Sequence, residues 1–159
     1  MTLSPLLADY DNFLLDLDGC VWVGNEPTPG AAGAVGELRA AGKSVTFLTN
    51  DARRSPEEYV RKLWSLGLRA SLEEVVTAGA AVQHMLAESG ARRRTFVIGS
   101  SAVIRHVADS GQRVVNGTPR EAEAEIVVVA GHDGFDYREL RIATQAVLGG
   151  AELIAVNRD

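Results

Sequence analysis

The chain has 159 residues, 46% hydrophobic and 23% charged, which fits one globular domain or two small ones with enough apolar material for a core. A net charge of −5 excludes the basic footprint of a nucleic-acid binder, and the short run Arg92-Arg93-Arg94 reads as a solvated loop. A single cysteine, Cys20, excludes an internal disulfide; it suits a reducing compartment and reads as a small packed hydrophobe.

In chain order, the opening MTLSPLLADYDNF has no basic region and no long apolar core, which argues against a signal peptide. The apolar runs are too short to span a membrane, so a cytoplasmic protein with no membrane partner is predicted. "NFLLDLDG" predicts a buried strand over 12–18. "GAAGAVGELRAAG" predicts a helix with Ala31, Ala34, Val35, Leu38 and Ala41 on one face. "KSVTFLTN" is a second strand. "SPEEYVRKLWSLG" is a helix with Ser55 as N-cap, Pro56 at its first position, Glu58 closing a capping box and Gly67 ending it. Its apolar stripe is Tyr59, Leu63 and Leu66, and Trp64 is expected to pack in the core or an interface. "EEVVTAG" is a short third strand.

A second series follows: helix 79–89, strand "RTFVIGS", helix 101–110, short strand "QRVVN", strand "EIVVVAG", helix 137–148 and strand "ELIAVN". Unbroken Val/Ile runs point to strands covered on both faces, hence a parallel sheet in an α/β fold. The small-residue loop near 79 divides the chain into 1–79 and 80–159.

The chemistry gathers at two strand ends. Ligands of open parallel sheets bind at the carboxyl ends of strands. Residues i and i+2 of a strand share a face, so Asp16 and Asp18 start on one side, and Gly19 lets the chain turn away. Two neighbouring carboxylates are tolerable around a hard cation such as Mg²⁺. A carboxylate can attack phosphorus, and a second one can move the proton of the leaving oxygen. Thr49 ends the next strand and can donate to a phosphoryl oxygen; amides of residues 18–21 would add donors. A lone D-x-D-G at a strand end is common, and the order strand–DxDG, helix, strand–hydroxyl, capped helix is what makes it informative. Elsewhere Trp22 reads as packing at a domain interface and His84 and His106 as surface positions. His132-Asp133 reads as a turn that could contact substrate. Gly30, Gly33 and Gly36 lack the placement of a dinucleotide fingerprint.

The segments DLDGCVW (16–22) and VTFLTNDARRSPEEYVRKLWSLG (45–67) resemble the haloacid dehalogenase-like phosphatases, in the NagD-like branch with the p-nitrophenyl phosphatases. The resemblance continues through EEVVTAG, FVIGS, VVVAGHDGFDYREL and LIAVNRD. It implies a Rossmann-like parallel sheet core, here incomplete, over 1–79, and an inserted α/β cap domain over 80–159. It implies Asp16 as nucleophile and Mg²⁺ ligand, Asp18 as general acid/base with its carbonyl on the metal, and Thr49 on the phosphoryl group. Gly19, Asn50, Asp51 and the cap loop at Asn157, Arg158 and Asp159 would face a small phosphorylated metabolite. Asp51 stands where the family has a second asparagine, and would need a partner such as Arg53 or Arg54.

Family members run on for roughly another hundred residues, with a lysine and an acidic metal motif that have no counterpart here. The chain is therefore expected to be the amino-terminal portion of such an enzyme or a truncated product. Two protein ligands out of about six predict weak metal binding and low turnover. Missing strands would leave an apolar edge exposed and favour association, so a homo-oligomer stays open. The rival reading is a non-catalytic module that binds a phosphorylated ligand or a partner chain. A phospho-accepting signalling domain is a third, opposed by Asp18.

Overall fold

The structure is a computed structural model and describes residues 4–157. Its elements, in order, are α1 (Pro5–Ala8), β1 (Asn12–Asp16), β2 (Trp22–Val23), β3 (Glu26–Pro27), α2 (Ala31–Ala40), β4 (Ser44–Thr49), α3 (Pro56–Ser65) and β5 (Val75–Thr77). There follow α4 (Ala78–Glu88), β6 (Arg94–Gly99), α5 (Ser101–Asp109), β7 (Arg113–Val114), β8 (Ile126–Gly131), α6 (Tyr137–Leu148) and β9 (Glu152–Ala155). Every strand and helix expected from the hydrophobic pattern is present. Four short features are added, the single-turn α1, the two-residue ribbon β2–β3 and 3₁₀ turns at Leu72–Glu74 and Glu121–Glu123, all too short to leave a periodic signal.

The chain forms two compact units, one of residues 1–49 and 56–76, the other of 50–55 and 77–159. In the first, the strand order is β1-β4-β5, with β1 and β4 parallel and in register from Asn12↔Ser44 to Asp16↔Leu48. Its core holds Leu17, Trp22, Phe47, Tyr59, Leu63 and Leu68. Helix α2 buries only Val35 and Leu38; Ala34 and Ala41, expected on the same face, are exposed, because methyl side chains do not reach the sheet as the branched ones do. Helix α3 buries Tyr59 and Leu63 with Leu66 beside them, as its stripe predicts. Trp64 does not join them. It is 64% exposed, and its indole N–H donates to the Ala70 carbonyl oxygen at 2.8 Å. β1 is an edge strand, and Leu14 on it is exposed.

The second unit is a four-stranded parallel sheet in the order β7-β6-β8-β9. β6 is buried at every residue after its first, which is what its unbroken Thr-Phe-Val-Ile run requires of a strand covered on both faces. One side packs Val97, Val103, Val107 and Val128; the other packs Phe96, Ile98, Ile142 and Ala146. Ala52 is buried in the first of these clusters, which ties residues 50–55 to this unit. The arginine run is no free loop: Arg93 pairs with Glu152 at 2.8 Å, and Arg94 opens β6 and donates to the Glu123 carbonyl oxygen. His106, expected at the surface, is half-buried and shares a 2.6 Å hydrogen bond with Gln83, because α4 and α5 pack closely where Gly79 faces the imidazole. His84 is exposed as expected. No helix among the described residues is long and apolar enough to cross a membrane.

Candidate active site

β1 stops at Asp16, two residues before the predicted end, and a tight turn follows. The amides of Val21 and Trp22 both donate to the Leu17 carbonyl oxygen, at 2.9 and 3.1 Å, and Gly19 donates to the Trp22 carbonyl oxygen at 2.7 Å. Gly19 takes φ +84°, a conformation costly for any side chain. The strand pairing thus ends at Asp16, and Asp18 lies in the turn that follows it. Leu17 between them is fully buried, while both aspartates are exposed. The turn thus pins its apolar residue into the core and presents the acidic pair to solvent.

Thr49 ends β4 and is buried. Asp16 pairs with Leu48, and the Leu17 amide donates to the Leu48 carbonyl oxygen at 3.1 Å. With strands ~4.8 Å apart and ~3.3 Å per residue, the Thr49 Cα lies roughly 6 Å from that of Asp16. The amides expected to cradle a phosphate at 18–21 are partly committed, since those of Gly19 and Val21 bond within the turn. Cys20 is exposed rather than packed, because Leu17, Val21 and Trp22 take the inward positions of this turn.

Trp22, read from the sequence as packing at a domain interface, also makes a polar contact with the acidic pair. The Trp22 indole N–H donates to Asp18 Oδ1 at 2.7 Å. Trp22 itself is fully buried, stacks on Tyr59 with centroids 6.3 Å apart and planes 5° apart, and has Lys62 Nζ 4.0 Å from its ring centroid. Its spacing of four residues from Asp18 across a glycine turn was the only available signal.

Asn50 and Asp51 follow Thr49 but belong to the second unit, as does Asn157. Asn50 and Asn157 are exposed. Asp51 has the partner its charge requires: Arg53 Nε and its backbone amide reach Oδ1 at 2.9 Å, and a second guanidinium nitrogen reaches Oδ2 at 3.1 Å. Arg53 also lies 3.8 Å from Asp133. His132 meets Glu139 at 2.9 Å. Arg158 and Asp159 lie outside the described residues. Asp16 and the Asp18 carbonyl offer hard oxygen donors that fit Mg²⁺. Among the described residues no group of three or more His, Cys, Asp or Glu stands ready to hold a metal ion.

The first unit thus sets an acidic turn after its first strand beside a parallel strand that a hydroxyl closes. Residues 13–113 match the model of a haloacid dehalogenase-like hydrolase, and the chain belongs to that family. It is 31% identical over 160 residues to the sugar-phosphatase AraL of Bacillus subtilis, covering 97% of this chain and 58% of that protein. It is 31% identical over 158 residues to the D-glycerol 3-phosphate phosphatase of Mycobacterium tuberculosis, covering 99% and 43%. A glycerol phosphate phosphatase from Mycobacterium tuberculosis, solved in complex with magnesium, superposes with a TM-score of 0.88 at 32% identity, over 99% of this chain and 47% of that one. The p-nitrophenyl phosphatase of Archaeoglobus fulgidus gives 0.85 at 26% identity, over 95% and 56%. The chain spans about half the length of these relatives. They fall in the branch that DLDGCVW and the segment after VTFLTN indicated.

Proposed function

We propose that the chain carries the nucleophile-bearing part of a Mg²⁺-dependent phosphomonoesterase for small phosphorylated metabolites, of the sugar phosphate or glycerol phosphate class. The observation that carries this reading is the Asp16–Leu17–Asp18 turn in register beside the strand that ends in Thr49. The similarity to sugar and glycerol phosphate phosphatases supports the substrate class.

In this reading an Asp16 carboxylate oxygen attacks phosphorus, and the ester oxygen leaves with a proton from Asp18. Water then attacks the aspartyl-phosphate, giving up its proton to Asp18 and releasing inorganic phosphate. The Thr49 hydroxyl donates to a phosphoryl oxygen. Mg²⁺, held by Asp16 and the Asp18 carbonyl, would neutralise phosphoryl charge. Gly19, Asn50, Asp51 and Asn157 are assigned to substrate, and the Arg53 pair supports this for Asp51 by offsetting its charge. A core up to residue 79 and a cap from residue 80 belong to the same proposal, as does a cytoplasmic location, which suits a lone exposed cysteine. With only two protein oxygens assigned to the ion, turnover by the 159-residue chain is expected to be slow.

The test is phosphate release from p-nitrophenyl phosphate with Mg²⁺, at chain concentrations high enough to count a single turnover. Asp16→Asn should abolish release. An Asp16→Asn protein as active as the native chain would remove Asp16 from the role.

A further inference from the structure

We propose that Trp22 is a positioning residue for proton transfer by Asp18, and that Lys62 strengthens its hold. This rests on the acid/base role of Asp18 proposed above. An exposed aspartate ordinarily samples several rotamers in water. Here one oxygen, Oδ1, accepts from the indole N–H at 2.7 Å, the short distance of a charge-assisted bond. The donor cannot follow a wandering carboxylate, because Trp22 is fully buried and stacked on the equally buried Tyr59.

Lys62 Nζ sits 4.0 Å over the indole and is tethered by a 2.9 Å bond to the Gly24 carbonyl oxygen. A cation over the face draws electron density from the ring and makes the N–H a better donor. With Oδ1 committed, the proton that moves to the leaving oxygen is carried on Oδ2, and Oδ2 takes the proton back from the attacking water. The bond to the phosphorus breaks as that proton arrives, so a carboxyl turned away leaves an unprotonated alkoxide as the departing group.

A bond made merely to satisfy a buried indole would suffice with any acceptor. Trp64 in the same unit uses a backbone carbonyl, that of Ala70, at 2.8 Å. Trp22 instead reaches out to a solvent-exposed carboxylate, one of the two that carry the chemistry. It does so through the turn at Gly19 that the motif itself creates.

Leaving groups separate a positioning role from a structural one. p-Nitrophenolate departs without needing a proton, whereas the alkoxide of glycerol 3-phosphate needs one. Trp22→Phe keeps the ring and deletes the N–H. With Mg²⁺ and the purified chain, the single-turnover rate of aspartyl-phosphate formation from glycerol 3-phosphate should fall on the order of 10- to 100-fold, part of the 10²–10⁴ that acid catalysis supplies. Substrate affinity, and the same rate from p-nitrophenyl phosphate, should change less than about threefold; the later hydrolysis, common to both substrates, is left out of the comparison because Asp18 acts there as base. Lys62→Met should show the same selective loss to a smaller degree.

Should Trp22→Phe not fold, incorporation of 3-benzothienylalanine, in which sulfur replaces the N–H at near-equal shape, gives the same comparison in a Trp64→Phe background. An equal fall in that formation rate on both substrates would make Trp22 structural only and overturn the proposal, leaving Asp18 untouched. Release from neither substrate by the native chain would instead overturn the phosphatase reading, and the role of Trp22 with it. The bond itself is read apart from activity: Asp18→Asn should move the Trp22 indole ¹H–¹⁵N resonance and leave that of Trp64 in place, and an unmoved signal refutes it.

Discussion

Leu17 is the residue on which the acidic pair hangs, and Leu17→Ala measures how firmly. The side chain is fully buried in the first unit's core, and its backbone accepts the amides of Val21 and Trp22. Leu→Ala at such a site removes the transfer free energy of three carbons and leaves a cavity, for a cost of about 2–5 kcal/mol. With a urea m-value of about 1–3 kcal/mol per M, a loss near 3 kcal/mol lowers the unfolding midpoint by roughly 1–3 M. The assay is equilibrium urea unfolding followed by Trp22 fluorescence in a Trp64→Phe background, with far-ultraviolet circular dichroism alongside. Leu17→Met, close in volume, should lose less than about 1.5 kcal/mol. Asp16→Asn beside it, on an exposed side chain, should stay within about 0.5 kcal/mol. A midpoint for Leu17→Ala within about 0.2 M of the native chain would refute the view that the acidic turn is anchored through Leu17.

Glu121 tests the second unit: this buried carboxylate accepts from the Gly117 amide and from Arg138, both at 2.5 Å. Glu121→Ala should cost about 1–3 kcal/mol by thermal unfolding, since it removes the bond from the Gly117 amide and the charge-assisted one from Arg138, and Glu121→Gln less. Calorimetric titration of the chain with Mg²⁺ should give a dissociation constant of about 1 mM or weaker, worth about 4 kcal/mol at most. Micromolar binding would mean that a further ligand completes the set. Asp51→Ala should unpair a bidentate guanidinium that is itself half-exposed, at a cost of about 1 kcal/mol or less in the same unfolding assay.

The periodic elements were legible because apolar spacing is a direct record of burial. Residues 137–148 read as a helix end where the structure ends it, since Asp136 caps the first turn and Gly149-Gly150 follow the last. The Val/Ile runs of β6 and β8 likewise announced strands covered on both faces. The site was legible in residue type but not in geometry. Asp16, Asp18 and Thr49 stood out as polar strand ends, while the hydrogen bonds that close the turn after Asp16 left no mark in the pattern. Trp22 and Trp64 were both read as packing residues; Trp22 is one, buried in the first unit's core, whereas Trp64 is exposed. A hydrogen-bond direction leaves no trace in hydropathy, so neither the Asp18 contact nor the exposure of Trp64 could be seen in the pattern. Asp51–Arg53 was foreseeable, because an unbalanced carboxylate beside two arginines has few other outcomes.

The most direct test is to trap the acyl-phosphate chemically. The native chain is incubated with Mg²⁺ and p-nitrophenyl phosphate, quenched, reduced with borohydride and digested for mass spectrometry. Reduction turns a phosphorylated aspartate into homoserine. The account predicts homoserine at position 16 and its loss in Asp16→Asn. Homoserine at any other aspartate, or none while phosphate is being released, would contradict it.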